Sequence, residues 1–221
     1  MSERLPAPVD ARISGTPILA GDLLVLPIGT PLVRISRLTG AHPLAWNEMR
    51  AYGPSTSRFD HQPPPTRVHP ERRITYLTWG DDAFVAVFAE FFQDGSGGVG
   101  PFELAYGDPL ITTFASATEL RLLDLDGGWV TRAGGNQAIR TGPRGVCRDW
   151  ARAIYRHHLD VHGLAYGSSV WGPGRCVALW ERGAAAFPPA PTASRRLDDP
   201  ALAAAVADAD DRLHPAGAVP I

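Results

Sequence analysis

The stretch from residue 73 to residue 92, RITYLTWGDDAFVAVFAEFF, changes its hydrophobic period halfway along, and this change constrains the fold more than any other feature. Its first seven residues are rich in β-branched and aromatic side chains, which is typical of a strand. The GDD turn that follows offers Asp82 as a helix N-cap, and the apolar residues beyond it follow helical spacing. A strand that leads directly into an apolar helix indicates a fold that contains both element types.

Other segments carry the same two kinds of signal. PLVRISR (31–37) alternates with period two, which predicts a half-buried strand. Further strands are predicted at 110–114 and 120–125 and in GLAYGSS (163–169) and RCVALWE (175–181), and a helix is predicted over 147–159. The sequence therefore predicts a single α+β domain, with a mixed or antiparallel β core flanked by helices.

The chain divides into three regions by composition. Residues 1–30 are punctuated by Pro and Gly and are predicted to form an N-terminal arm, with an apolar run at 23–28 packed on the edge of the domain. Residues 31–183 hold the predicted elements of the core. Residues 184–221 form a Pro/Ala-rich C-terminal extension, with a short helix predicted over 200–213.

The chain contains no lysine, so all 21 of its basic residues are arginines. Catalysis through a lysine Schiff base and the lysine of a phosphate-binding P-loop are therefore excluded. Any phosphate that the protein binds must be held by arginine, backbone N–H groups or hydroxyls.

The remaining composition points to a cytoplasmic protein. The net charge of −2 gives no reason to expect nucleic acid as a direct partner. No run of eighteen apolar residues is present, and the N-terminus does not resemble a signal peptide, so no association with a membrane is expected. The two cysteines match no zinc pattern and are interpreted as cytosolic free thiols.

Two short motifs suggest sites that their contexts do not support. HHLDVH (157–162) places two histidines four residues apart, but it lacks the glutamate of a zincin, so no metal site is predicted. GSGGVG (95–100) satisfies the dinucleotide pattern in letters, but a helix precedes it and Pro101 follows it. A loop that ends the helix is the better interpretation.

Glu90 is the one charged residue within the apolar run FVAVFAEFFQ (84–93). On a helical wheel it falls outside the aromatic stripe, on the same side as Ala83 and Ala86. Periodicity alone favours a solvated glutamate. The small alanines would also leave room for a ligand beside the carboxylate, and the pattern does not separate these two alternatives.

Two arginines and a pair of serines raise a similar question. Arg34 lies in a predicted strand, and Arg58 lies in the loop GPSTSRFD. Taken singly, each arginine is most simply a surface charge; taken together, the two could form a clamp that binds phosphate. Ser168 and Ser169 lie in a Gly-rich turn after a strand, where structural and functional roles are equally supported.

The order of these features resembles the RES-domain family, which is named for its Arg, Glu and Ser. The resemblance runs from about residue 31 to residue 181 and includes RFD (58–60), the strand and helix around Glu90, LRLLDLDGGWV, WARAIY and GLAYGSSVWGPGRCVALWE. It places the family's residues on Arg34, Arg58, Tyr76, Glu90 and Ser168, with Ser169 as the alternative for the last. The family often has an aromatic residue after its first arginine, where this chain has Ile35.

The resemblance implies an ADP-ribosyltransferase-like fold and an activity on NAD. The implied reaction is cleavage of the nicotinamide–ribose bond by phosphorolysis or hydrolysis, with NAD as substrate, phosphate as an optional co-substrate and no other cofactor. Glu90, Arg34 and Ser168 are then the expected catalytic residues, and Arg58, Tyr76 and Ser169 are expected to bind the substrate. Many members are toxins, so an Xre-type antitoxin is the implied protein partner.

Three functions stay open at this stage. The first is the NAD-degrading toxin, the second a protein ADP-ribosyltransferase, and the third a catalytically silent module that binds a partner protein. The sequence leaves the acceptor and the oligomeric state open, a homo-oligomer included. Whether the named residues converge on one cleft separates the enzymes from the silent module.

Overall fold

The computed structural model describes residues 4–94 and 97–215, and a twisted sheet runs through the middle of this part of the chain. The strands are β1 (Leu23–Leu26), β2 (Pro31–Arg37), β3 (Tyr52–Gly53), β4 (Arg67–Val68), β5 (Ile74–Trp79), β6 (Pro109–Ala115), β7 (Leu120–Asp124), β8 (Gly163–Gly167), β9 (Arg175–Trp180) and β10 (Ala193–Arg196). The α-helices are α1 (Asp10–Gly15), α2 (Ala83–Phe91), α3 (Trp129–Arg132), α4 (Arg144–His157) and α5 (Ala203–Leu213).

The main sheet has the strand order β1-β7-β8-β9-β5-β2-β6-β10, and β3 and β4 pair separately. Neighbouring strands are antiparallel except for β7 and β8, which are parallel. A parallel pair needs a crossover connection, and the segment with α3 and α4 supplies it. The predicted α+β fold with a mixed, mostly antiparallel core and flanking helices is confirmed.

The helices cover one face of the sheet. Helices α1, α3 and α4 pack over the half that contains β7, β8 and β9, around the buried residues Trp129, Trp150 and Trp180. Helices α2 and α5 pack over β2 and β6. The opposite face is covered by loops that bring Trp46 and Phe187 onto a layer of leucines. The sheet is therefore covered by helices on one face and by loops on the other.

Most of the predicted elements lie where the sequence placed them. The strand predicted at 31–37 is β2, and the one predicted at 73–79 is β5. Helix α4 begins at Arg144, three residues before the prediction, directly after Pro143, which is its N-cap. The C-terminal helix predicted over 200–213 forms as a 3₁₀ turn, Pro200–Leu202, followed by α5.

Both regions that flank the core supply an edge strand of the sheet. β1, from the predicted arm, pairs with β7, and β10, from the extension, pairs with β6. Leu5 and Ile13 of the arm are buried in the core. The division at 1–30, 31–183 and 184–221 stays a prediction, and residues 1–3, 95–96 and 216–221 lie outside the described residues. No helix in the described part of the chain is long and apolar enough to cross a membrane.

Candidate active site

A cleft opens where β2 and β5 separate within the main sheet. The two strands pair only through Leu32↔Trp79 and Val33↔Thr78. Beyond these pairs, β2 continues along β6 and β5 continues along β9, so that the edges of Arg34–Arg37 and Ile74–Leu77 face each other unpaired. The cavity between them has a volume of about 490 Å³, within the usual range for a small-molecule site.

The charges around the cleft are unbalanced. Among the described residues that line it, five are arginines and one is a carboxylate, Glu90; the arginines are Arg34, Arg37, Arg50, Arg58 and Arg144. The chain as a whole carries a formal charge of −2, so this concentration of positive charge is local. A cleft lined by one sign of charge attracts ligands of the opposite sign, here anions.

Glu90 lies near the C-terminal end of α2, and its carboxylate is held by the turn after β8. Oε1 accepts a hydrogen bond of 2.6 Å from the hydroxyl of Ser168. Burial raises the pKa of Glu90 above its ordinary value, while the Ser168 hydrogen bond and the positive charges of Arg58 and Arg144 oppose the rise. A carboxylate with a raised pKa in a cleft is a candidate functional group.

The solvated position that periodicity favoured for Glu90 is wrong. Helix α2 is buried on nearly all sides, and its alanines are covered as well as its stripe. Ala86 lies under the residue 168–174 turn: a Cβ atom built on Gly174 would lie 2.8 Å from its Cβ. Ala83 and Ala86 are both buried, so the room for a ligand that the second alternative supposed is absent beside them. The small side chain of Ala86 instead allows this turn to approach Glu90.

The residue 168–174 turn gives its two serines different surroundings. Ser168 is 7% exposed, and its hydroxyl also accepts hydrogen bonds from the backbone N–H groups of Val170 (3.2 Å) and Trp171 (3.0 Å). Ser169 lines the cleft. Ser168 thus orients Glu90, and Ser169 is the serine placed to touch a ligand.

Arg34 braces the cleft at the point where β2 and β5 separate, directly after the pair Val33↔Thr78. It is 4% exposed, and its Nη1 donates to the carbonyls of Trp46 (2.7 Å) and Glu48 (2.8 Å). Arg50, in the same segment, pairs its backbone with Ile74 of β5. Arg34 therefore connects β2 to β5 indirectly. Burial lowers its pKa to about 10, so the side chain is still a cation at neutral pH.

Arg58 and Arg144 are the cations whose positive charge reaches Glu90. Arg58 donates through Nη1 to the carbonyl of Gly142, which lies just before α4. Arg144, the first residue of α4, donates to the side-chain carbonyl of Gln93. Neither arginine has a carboxylate partner among the described residues, so both retain charge for a ligand.

The loop that carries Arg58 is fixed by a buried aspartate. Asp60 is fully buried, accepts a hydrogen bond of 2.6 Å from the backbone N–H of Ser55, and forms an ion pair of 2.8 Å with Arg50. Gln62 then donates to the carbonyls of Arg50 and Arg72. This network explains why residues 54–66, which are rich in Pro and Ser, form an ordered loop between β3 and β4.

Two tyrosines form the floor of the cleft. Tyr76 lies on β5, and Tyr166 lies on β8, two residues before Ser168. Burial raises the pKa of both phenols, and nearby negative charge adds to the rise, so both hydroxyls stay protonated. Neutral phenols in an apolar floor offer a ring face and a hydrogen-bond donor.

The structure brings all six predicted residues to this site: Arg58, Tyr76, Glu90 and Ser169 line the cleft with Arg34, and Ser168 contacts Glu90. Sequence reasoning did not single out Arg37, Arg144 or Tyr166. Arg37 ends the predicted strand 31–37, and Tyr166 precedes the serines in YGSS, so both had a positional signal. Arg144 had none. The described residues contain no group of three or more His, Cys, Asp or Glu side chains that could hold a metal ion.

Comparisons with known proteins agree with the fold. No protein-family model matches the chain, and no curated protein matches it. A chain in the crystal structure of the M. tuberculosis MbcT–MbcA toxin–antitoxin complex matches it with a TM-score of 0.52 and 18% sequence identity. The match covers 84% of this chain and 90% of that chain. This likeness shows a shared fold over most of both chains.

Proposed function

We propose that this protein is an NAD-degrading enzyme of the RES type, which cleaves the nicotinamide–ribose bond and acts as the toxin of a toxin–antitoxin pair. One observation carries the proposal: among the described residues that line the cleft, Glu90, oriented by Ser168, is the single carboxylate beside five arginines, of which only Arg50 is paired with an aspartate. NAD matches this arrangement of charge, because its pyrophosphate is anionic and its reacting ribose becomes cationic.

Glu90 is the residue that stabilises the transition state. When the bond between the ribose C1 and the nicotinamide nitrogen breaks, both electrons leave with nicotinamide, which departs as a neutral pyridine. The ribose then carries positive charge on C1 and on its ring oxygen, as in glycoside hydrolysis. A fixed carboxylate beside that charge lowers the barrier because it is already oriented before the reaction begins.

The arginines hold the anionic part of the substrate. Guanidinium groups bind phosphate oxygens through charge-assisted hydrogen bonds of defined geometry. Arg58 and Arg144 suit the pyrophosphate for two reasons. Their charges act on Glu90, so both lie near the reacting ribose, and neither forms an ion pair with a carboxylate among the described residues. Tyr76 and Tyr166 border the nicotinamide ring, and Ser169 contacts the ribose or the carboxamide. Arg34 lines the cleft and acts as its brace.

The toxin role rests on two likenesses. The sequence resembles the RES family, and the fold is shared with a chain of a toxin–antitoxin complex. An Xre-type antitoxin is accordingly the proposed protein partner.

An NAD-consumption assay with product identification tests the proposed activity. Purified protein is incubated with NAD in the presence and absence of phosphate, alongside Glu90→Gln and, as a control, Arg67→Gln, which alters an exposed arginine of β4 outside the cleft. We expect wild type and Arg67→Gln to release nicotinamide and Glu90→Gln to lose at least about 100-fold in rate.

The products decide the acceptor. ADP-ribose indicates water, its 1-phosphate ester indicates phosphate, and ADP-ribose attached to a protein in lysate indicates the transferase alternative. NAD that stays intact under all these conditions would contradict the enzymatic proposal and would favour the silent interaction module.

A further inference from the structure

Arg37 occupies the rim of the cleft in a fixed orientation. Its guanidinium carbon lies 4.3 Å from the ring centroid of Phe91, the residue after Glu90, and 5.6 Å from that of Tyr106. Tyr106 is 69% exposed and Arg37 is half-buried, so Arg37 lies where the cleft meets the protein surface. Stacking on two aromatic rings holds the guanidinium through cation–π contacts while its edge stays open to the cleft.

Arg37 has no counter-ion among the described residues. The nearby Asp108 is engaged elsewhere, since its carboxylate accepts hydrogen bonds from Thr39 (3.0 Å) and Arg196 (2.5 Å). The Nε atom of Arg37 is buried and has no hydrogen-bond partner in the part of the chain that the structure describes. Arg37 as a whole is only half-buried, and an accessible guanidinium without a counter-ion can pair with an anion that enters the cleft. The surroundings of Arg37 are therefore suited to an anionic ligand.

The loop that covers Arg37 is fitted to it through a glycine. Gly107 has φ +78°, and a Cβ atom built on it would lie 2.6 Å from Cδ of Arg37. Only glycine permits this backbone conformation and this approach together. The side chain is thus confined between Phe91, Tyr106 and Gly107 before any ligand arrives, so little entropy is lost when it binds one.

We propose that Arg37 binds the phosphate on the adenosine side of a dinucleotide and makes the site specific for dinucleotides over mononucleotides. This inference rests on the proposed function. Arg58 and Arg144 act on the carboxylate of Glu90 and so lie close to the bond that breaks. Arg37 lines the same cleft and stacks on Phe91, the residue after Glu90, and the second phosphate of an extended substrate is assigned to it.

Paired substrates test this assignment. Nicotinamide mononucleotide contains the same scissile bond as NAD but lacks the adenosine-side phosphate. We compare kcat/KM for both substrates in wild type, in Arg37→Gln, which removes the charge, and in Arg67→Gln as the control outside the cleft. The ratio of kcat/KM for NAD to that for the mononucleotide should fall about 10- to 100-fold in Arg37→Gln and stay constant in the control.

Direct binding supplies a readout that needs no catalysis. Calorimetric titration with ADP-ribose, which carries both phosphates, and with ribose 5-phosphate, which carries one, should show a loss of affinity in Arg37→Gln that is at least tenfold larger for ADP-ribose. An unchanged ratio of kcat/KM for the two substrates, or equal losses of affinity for the two ligands, overturns the assignment of Arg37. In that case NAD cleavage by wild type still upholds the proposed function.

The reverse outcome is also distinguishable. If wild type cleaves neither substrate, the proposed function fails and the titrations alone decide. Weaker ADP-ribose binding in Arg37→Gln than in wild type then supports a phosphate-binding Arg37, and equal or absent binding overturns it.

Discussion

The hydroxyl of Ser168 makes three hydrogen bonds at one point, and replacing it by alanine should change both stability and catalysis. Its bond of 2.6 Å to Glu90 involves a charged acceptor and contributes about 1.5–3 kcal/mol. Its bonds from the N–H groups of Val170 and Trp171 contribute about 0.5–1.5 kcal/mol each. Because water entering from the cleft replaces part of these bonds, we expect Ser168→Ala to lower the free energy of unfolding by about 2–3 kcal/mol.

The catalytic effect has a definite sign. The Ser168 hydrogen bond lowers the pKa of Glu90 against the effect of burial, so its removal raises that pKa further. If the ionised carboxylate is the active form, the acid limb of the pH–rate profile moves to higher pH in Ser168→Ala. The rate at its plateau should also fall about tenfold or more, because the carboxylate is no longer fixed.

Urea unfolding and a pH series of NAD cleavage by Ser168→Ala measure these two effects, with Ser169→Ala as the matched control for the unfolding experiment. No hydrogen bond involves the Ser169 hydroxyl within the described residues, so its removal should change the free energy of unfolding by less than about 0.5 kcal/mol. The midpoint should move in Ser168→Ala at an unchanged m-value. Equal stabilities of the two variants, or an acid limb that stays in place, would refute the assigned role of Ser168.

Three further substitutions test other parts of the site. Glu90→Gln should raise thermal stability at neutral pH, because the folded-state pKa of Glu90 lies above its unfolded value and ionisation therefore destabilises the fold as pH rises. Calorimetry measures this gain over wild type, and the gain should vanish in acid, where Glu90 is protonated in both states. Arg34→Met should lower the free energy of unfolding, measured in urea, by about 3 kcal/mol, because the backbone carbonyls of Trp46 and Glu48 lose their buried hydrogen-bond donor. An unchanged urea midpoint would argue against the bracing role of Arg34. Gly107→Ala should displace the side chain of Arg37 and lower affinity for ADP-ribose about as much as Arg37→Gln does, while wild-type affinity in that variant would argue against the confinement.

The fold was predictable from local patterns because each strand and helix carries its own period. The alternation in 31–37 and the change of period at Asp82 are properties of neighbouring residues, and β2 and α2 follow them. Helix α1 and strand β10 were not predicted. Strand β10 is exposed along its whole length, so its sequence ASRR carries no alternation, and α1 is too short for a helical period to develop.

The candidate site was predictable in its residues and not in its contacts. The helical spacing of apolar residues predicts which side of α2 is apolar when the helix is considered alone. The surroundings of Glu90 depend instead on Ser168, in a turn 78 residues further along the chain. The same limit applies to Arg144, which reaches the cleft because α4 starts beside Gln93. No pattern within α4 records that neighbour.

The separation of β2 from β5 has a consequence for how occupancy is detected. Only two residue pairs join the three-stranded part of the sheet (β2, β6 and β10) to the five-stranded part. A ligand that contacts both unpaired edges would therefore act as a removable crosslink between two halves of one sheet. Saturating ligand should slow amide hydrogen exchange along Arg34–Arg37 and Ile74–Leu77 together, so that the protein's own backbone reports binding even in a variant that cannot turn over its substrate.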